Sequence, residues 1–161
     1  MDRREAIRIT VLGAALAACA RETAAADDTA LMESIADTLL PTTPSSPGAK
    51  AAGAGPAMRL LLADCHTAAD QRRVADGLRA FRERHADFVS LPQGERERIL
   101  REVDAEARAA GETHYFHLVR ELANRAYFSS EIGMTRALRF TMIPGKWVGC
   151  TPLAPNQPAW G

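Results

Sequence analysis

The sequence predicts an all-α fold: an irregular bundle of about five or six helices, followed by an extended C-terminal tail that contains proline and tryptophan. Three observations support this prediction. Apolar residues recur at helical spacing in several segments. No segment alternates apolar and polar residues as strands do. The stretch 146–161 has no apolar period and contains three prolines and two tryptophans.

Residues 1–18 are predicted to be a removable signal peptide. Arg3, Arg4 and Arg8 precede a short apolar run over residues 9–18, which is too short to cross a bilayer as a helix. The adjacent Arg3 and Arg4 favour export by the twin-arginine translocase. An ordinary secretory signal that happens to contain two arginines is the alternative.

The run Leu16-Ala17-Ala18-Cys19 resembles a lipobox, which predicts that Cys19 is lipidated and becomes the first residue of the mature chain. Two or more acyl chains are sufficient for stable membrane anchoring. The alternative is cleavage within residues 24–26 without a lipid. Residues 19–27 then form an alanine-rich tether before the folded domain.

Residues 28–161 are predicted to form one helical domain, which begins with a helix after Asp27 and Asp28. Leu31, Ile35 and Leu39 recur on one face of this helix until Pro41 ends it. A Pro/Gly-rich linker follows at 41–56. Connections of this length are usually functional or disordered, so the linker is expected either to wrap a partner or to remain free.

Five further helical segments are predicted from apolar spacing and capping residues. They run from Pro56 to Cys65, from a Thr67 cap through Phe88, from a capping box at 90–93 to Gly111, from Thr113 to Phe128, and from a Ser130 cap to Phe140. Arg and Glu dominate the outward faces, as expected for solvated surfaces.

The charges and motifs argue against several classes of function. The chain has 20 basic and 20 acidic residues, so its net charge implies no nucleic-acid partner. Gly53-Ala-Gly55-Pro56 lacks the third glycine of a dinucleotide site, and no Walker loop, Gly-x-Ser-x-Gly or Cys-x-x-Cys-His motif is present. We therefore expect no catalytic residue, metal site or cofactor site in this chain.

His114 and His117 are the sharpest local candidates for metal binding, because a spacing of three residues can place both imidazoles on one side of a helix. A metal site needs three or four ligands, and no spacing rule fixes a third donor. A surface or packing role is favoured, and a small metal-dependent enzyme is the weaker reading.

Cys65 and Cys150 remain after the signal is removed. An exported chain meets an oxidising compartment, where an even pair of thiols favours a disulfide. The alternative is that one of the two cysteines bridges to a partner subunit.

The segment 127–133 has two interpretations. Its aromatic residues can close the core, or Tyr127, Phe128 and Glu131 can face a partner. Trp147 and Trp160 in the proline-rich tail favour a partner surface, since tryptophans are common interface anchors.

An ordered series of short motifs resembles the gluconate 2-dehydrogenase subunit 3 family over nearly the whole chain. The motifs lie at Arg3-Arg4, 35–43, 47–53, Asp64-Cys65, 127–133, Ala137-Leu138, Pro144-Gly145 and 149–153. The resemblance implies a noncatalytic small subunit of a periplasmic, membrane-associated dehydrogenase, whose large subunit holds FAD and whose third subunit is a cytochrome c with haem c.

In that family role the chain supplies the twin-arginine signal and helps to mature and stabilise the flavoprotein. Membrane association then comes from a lipid on Cys19 or from the partner subunits. A free-standing exported lipoprotein that acts as an envelope scaffold is the alternative function.

Overall fold

Helices account for almost all regular structure in the computed structural model, which describes residues 28–143, 145, 149–152 and 154–160. The α-helices are α1 over residues 28–39, α2 Ala54–Cys65, α3 Ala68–Arg84, α4 Gln93–Ala110 and α5 Tyr115–Phe128. A 3-10 turn at Phe88–Ser90 and a π-helix at Gly133–Ala137 complete the set. These described ranges contain no strand, and the prediction of an all-α fold is confirmed.

Helix α5 lies at the centre of the bundle and packs against α2, α3 and α4. Its apolar side chains form one broad face of the helix, and this face is stable only when other elements cover it. Eight of its 14 residues are buried: Tyr115, Phe116, Leu118, Val119, Leu122, Ala123, Ala126 and Tyr127.

Two glycines allow neighbouring helices to approach closely. A Cβ atom on Gly77 of α3 would lie 2.1 Å from Cγ of Tyr115 on α5. A Cβ atom on Gly55 of α2 would lie 2.7 Å from Cβ of Glu33 on α1. Because side-chain atoms cannot pack this tightly, any larger residue at either position must push the two helices apart.

Phe88 was expected to continue helix α3, but the structure places it in the 3-10 turn after that helix. Helix α3 ends at Arg84, and the His85 N–H donates to the Phe81 carbonyl. The turn brings the Phe88 ring back against Phe81, edge-on, with ring centroids 4.9 Å apart. Both rings are buried, so closing the core decides the conformation here.

The predicted helix starts are confirmed at Thr67 and wrong at Ser90. The Thr67 hydroxyl accepts the Asp70 N–H at 3.2 Å and caps α3. The Ser90 hydroxyl instead donates to the Asp87 carbonyl at 2.8 Å, within its own turn, and α4 begins after Pro92. A local side-chain to backbone bond therefore replaces the predicted capping box.

The connection after α1 folds onto its own chain. Ala49 is fully buried, and its N–H donates to the Leu40 carbonyl at 2.8 Å. The Gly48 N–H donates to the Thr42 hydroxyl at 3.0 Å. The expectation that this segment remains free is wrong, whereas contact of its exposed part with a partner stays a prediction. The connection is also shorter than the predicted 41–56, because α2 already begins at Ala54.

Candidate functional site

Tyr127, expected at a partner interface, is a core residue. Its side chain is 3% exposed, and its hydroxyl donates to the Pro47 carbonyl at 2.6 Å. This hydrogen bond joins the end of α5 to the connection between α1 and α2. The side chain of Tyr127 is therefore unavailable to a partner, and its predicted interface role is corrected to a structural one.

Phe128 and Glu131 lie at the surface just beyond the buried part of α5. The Phe128 ring packs edge-on against Tyr127, with centroids 5.0 Å apart, and is 36% exposed. Glu131 is exposed at the start of the short helix that leads into the π-helix. The Ser130 hydroxyl accepts the Gly133 N–H at 3.0 Å and stabilises this turn. Partner contact by Phe128 and Glu131 remains a prediction.

Within the described residues, Trp160 near the end of the C-terminal tail contacts Arg139, which lies just after the π-helix. The Arg139 N–H donates to the Ala159 carbonyl at 2.7 Å, which forms an isolated parallel bridge between Arg139 and Trp160. The Arg139 guanidinium lies 4.2 Å from the centroid of the Trp160 ring, as in a cation–π contact. Trp160 is still 51% exposed.

Large apolar side chains next to this attachment point face solvent. Phe140 is 43%, Met142 80% and Ile143 82% exposed. We call Phe140, Met142, Ile143 and Trp160 the tail surface. The sequence predicted Phe140 at the end of a helix, whereas the π-helix ends at Ala137. It predicted no role for Met142 and Ile143. The available signal was three apolar residues within four positions, outside any helical period.

Cys65 and Cys150 are both exposed free thiols in the structure. Cys65 is the last residue of α2, and Cys150 lies in the tail. The structure does not contain the expected disulfide between them. Oxidation within the chain, or with a partner subunit, stays a prediction for the exported protein.

His114 and His117 use ring nitrogens to stabilise the start of α5. His114 Nδ1 accepts the Phe116 N–H at 3.3 Å and caps the helix, which begins at Tyr115 instead of Thr113. His117 Nε2 lies 3.1 Å from the Ala107 carbonyl on α4, where it donates. Burial lowers the pKa of His114, and the neighbouring His117 lowers it further. These contacts give both imidazoles a structural role.

The described ranges contain no group of three or more His, Cys, Asp or Glu side chains arranged to hold a metal ion. Within the same ranges, no helix has both the length and the apolar character needed to span a membrane. Arg3, Arg4, Cys19 and Trp147 lie outside the described residues.

A comparison with protein families finds a match to the family described as gluconate 2-dehydrogenase subunit 3, over residues 26–145. The matched range includes all five α-helices, the π-helix and the exposed segment 140–143. Comparisons with curated proteins and with solved structures find no significant match.

Proposed function

The chain belongs to the gluconate 2-dehydrogenase subunit 3 family, and we propose that it is the noncatalytic accessory subunit of a periplasmic, FAD-dependent gluconate or sugar dehydrogenase. In this complex the large subunit holds FAD, and a cytochrome c subunit holds haem c. The chain assists export, maturation and stability of the large subunit. Its own folded domain contributes binding surface to the complex.

The observation that carries this proposal is the tail surface. Met142 and Ile143 are more than three-quarters exposed, although the bundle has a complete core without them. Each apolar Å² left in water forgoes about 25 cal/mol, so adjacent exposed large side chains are unfavourable unless a partner covers them. Exposed apolar patches of this kind mark interaction sites. A large subunit docking on this surface would bury these side chains.

The export part of the proposal depends on Arg3 and Arg4. A flavoprotein that must fold around FAD in the cytoplasm needs a translocase that accepts folded cargo. A small bound companion with a twin-arginine signal can carry such cargo across the membrane. A lipid on Cys19, or contact with the cytochrome subunit, would then keep the complex at the membrane.

The test is co-expression of the chain with the large dehydrogenase subunit in a bacterial host. In the Arg3→Lys/Arg4→Lys variant we expect flavin-bearing large subunit to be lost from the periplasm and to accumulate in the cytoplasm. Arg8→Lys is the matched control, since it changes an arginine outside the adjacent pair. Export of the large subunit by the double variant at the normal level would refute the carrier role.

The lipobox-like run 16–19 favours a second function, a free-standing lipoprotein that scaffolds the envelope. The two functions differ in what copurifies with the chain from membranes. The accessory role predicts a bound large subunit with the absorption spectrum of flavin. A lipidated chain that purifies without any flavin would favour the scaffold.

A further inference from the structure

A cleft of about 440 Å³ lies between the C-terminal end of α1 and helices α4 and α5. Its apolar floor is formed by Leu39, Leu100 and Phe116, one from each of these helices. Leu39 is the partly exposed member, whereas Leu100 and Phe116 are 3% and 0% exposed. The volume is in the range of pockets that bind small molecules or single peptide side chains. The cleft is separate from the tail surface, none of whose residues line it.

Charged side chains surround this floor and leave an excess of positive charge. Three guanidinium groups, from Arg101, Arg108 and Arg120, face two carboxylates, from Glu97 and Asp104. The cleft therefore carries a net charge of one positive unit. An occupant with a single carboxylate would neutralise it.

Asp104 already has its partners within the protein. Its Oδ1 accepts from Arg120 Nη1 at 2.7 Å, and its Oδ2 accepts from Arg108. The pair with Arg120 joins α4 to α5, and the pair with Arg108 lies within α4. Together they hold two guanidinium groups at the edge of the cleft. A guanidinium has five N–H donors, so both arginines keep donors for a second acceptor.

Arg101 is the guanidinium that is best placed to bind an external group. It is 82% exposed, and it forms a long ion pair with Glu97, in which Arg101 Nη2 lies 3.8 Å from Glu97 Oε2, beyond hydrogen-bond distance. Glu97 also accepts a hydrogen bond from the Gln93 amide at 3.1 Å. Arg101 and Arg108 lie seven residues apart, or two turns of α4, so they flank one face of the helix.

We propose that this cleft binds an acidic peptide segment, with one apolar side chain on the floor and a neighbouring carboxylate on Arg101 and Arg108. Arginine binds carboxylates through paired hydrogen bonds, and arginine clusters recognise acidic motifs. A phosphate fits less well, because its second negative charge would lie against Glu97 and Asp104. The apolar floor favours a peptide side chain over a hydrated sugar.

The segment is assigned to the large dehydrogenase subunit, and this part of the proposal rests on the proposed accessory function. The large subunit would then contact this chain at two places, the cleft and the tail surface. Two separate contacts on one partner raise the overall affinity when both can be occupied together.

The experiment measures fluorescence anisotropy of labelled hexapeptides with the purified full chain. The probes contain a central Leu, Phe or Met next to one Asp or Glu, and their controls carry Asn or Gln at the acidic position. At least one acidic probe is expected to bind ten times more tightly than its neutral control, and this preference should weaken at high salt.

The variant Arg101→Glu should weaken binding of the best probe at least tenfold. Arg59→Glu on α2 is the matched control, because it makes the same charge change at an exposed position outside the cleft. Thermal melting of both variants checks that they fold. Leu39→Ala should weaken the acidic and neutral probes alike, because it removes the partly exposed part of the floor.

The proposal would be overturned if every acidic probe bound with a Kd above 1 mM, which corresponds to a binding free energy on the order of −4 kcal/mol. It would also be overturned if the neutral probes bound as tightly as the acidic ones. A third contrary result is that Arg59→Glu weakens binding as much as Arg101→Glu. These outcomes leave the accessory function intact, since copurification with the large subunit tests that function separately. Loss of copurification with intact peptide binding would instead refute the accessory function alone.

Discussion

The helical bundle and the C-terminal tail contain the same kinds of apolar residues, but the bundle buries most of them and the tail leaves them exposed. In the bundle, Phe81 and Phe116 are fully buried between helices. In the tail, Met142 and Ile143 are at least 80% exposed, although they are as apolar as many core residues. The bundle therefore satisfies its own hydrophobic requirement, whereas the tail surface leaves large apolar side chains in contact with solvent.

The two regions also differ in how they are held. The bundle is fixed by interdigitated side chains and by close helix contacts such as Gly77 against Tyr115. In the part of the tail that the structure describes, the attachment is a backbone hydrogen bond from Arg139 to Ala159 and a cation–π contact between Arg139 and Trp160. Substitutions in the bundle should consequently change stability, and substitutions in the tail should change binding.

The largest expected effect on stability is that of Phe81→Ala. This substitution leaves a cavity beside Phe88 and should lower the free energy of unfolding by about 4 kcal/mol. Met142→Ser in the tail should change it by less than about 0.5 kcal/mol, because the side chain is exposed. Urea denaturation followed by circular dichroism measures both. Equal losses in the two variants would break the distinction between bundle and tail.

A smaller effect is expected for Gly77→Ala, which tests the contact between α3 and α5. Alanine forms helix better than glycine, but its Cβ would collide with the Tyr115 ring, so we expect a net loss of about 2 kcal/mol. Gly94→Ala is the matched control, since no heavy atom lies within 4 Å of its added Cβ. That variant should gain about 0.5 kcal/mol. Stabilisation by both substitutions would contradict the packing of α3 on α5.

The smallest expected effect on stability is a dependence on pH that arises in the bundle at His114. Burial and the neighbouring His117 lower the pKa of His114 in the folded state, and the nearby Arg84 acts in the same direction, while Glu106 opposes them. Below a pH of about 6.5, the ordinary histidine pKa, His114 therefore binds a proton more readily in the unfolded chain than in the folded one. The contribution of neutral His114 to the stability of the folded state is present above that pH, and it is lost as the pH falls through the folded-state pKa of His114.

Urea denaturation at pH 7.5 and pH 5.0 measures this contribution. In His114→Asn, which keeps a side-chain acceptor at the helix start, the loss of stability on acidification should be smaller. An unchanged loss in the variant would show that the cap at His114 is not its source.

Apolar spacing was sufficient to predict where the helices lie, because a helix that buries one face repeats its apolar residues every three or four positions. Leu31, Ile35 and the rest of α1 show this clearly. Thr67 was also predictable, since its cap bond reaches only three residues along the chain. Contacts between distant segments gave no such signal. The bond from Tyr127 to Pro47 spans 80 residues, and it decides that Tyr127 is buried.

The candidate surfaces were predicted only in part. Trp160 was expected at a partner surface and is exposed, whereas Met142 and Ile143 were missed because they lie outside any helical period. The cleft at α4 was missed for another reason. Arg101 and Arg108 look like an ordinary solvated helix face until the neighbouring helices place an apolar floor beside them.

The most direct test of the tail surface is the amount of flavin-bearing large subunit that copurifies with the Met142→Ser/Ile143→Ser variant. Leu60→Ser is the matched control, because Leu60 is 63% exposed on α2, away from the tail. We expect at least a tenfold loss of copurified flavin for the tail variant, with melting temperatures unchanged in both. Normal flavin recovery with the tail variant, or an equal loss with Leu60→Ser, would contradict a partner-binding role for the tail.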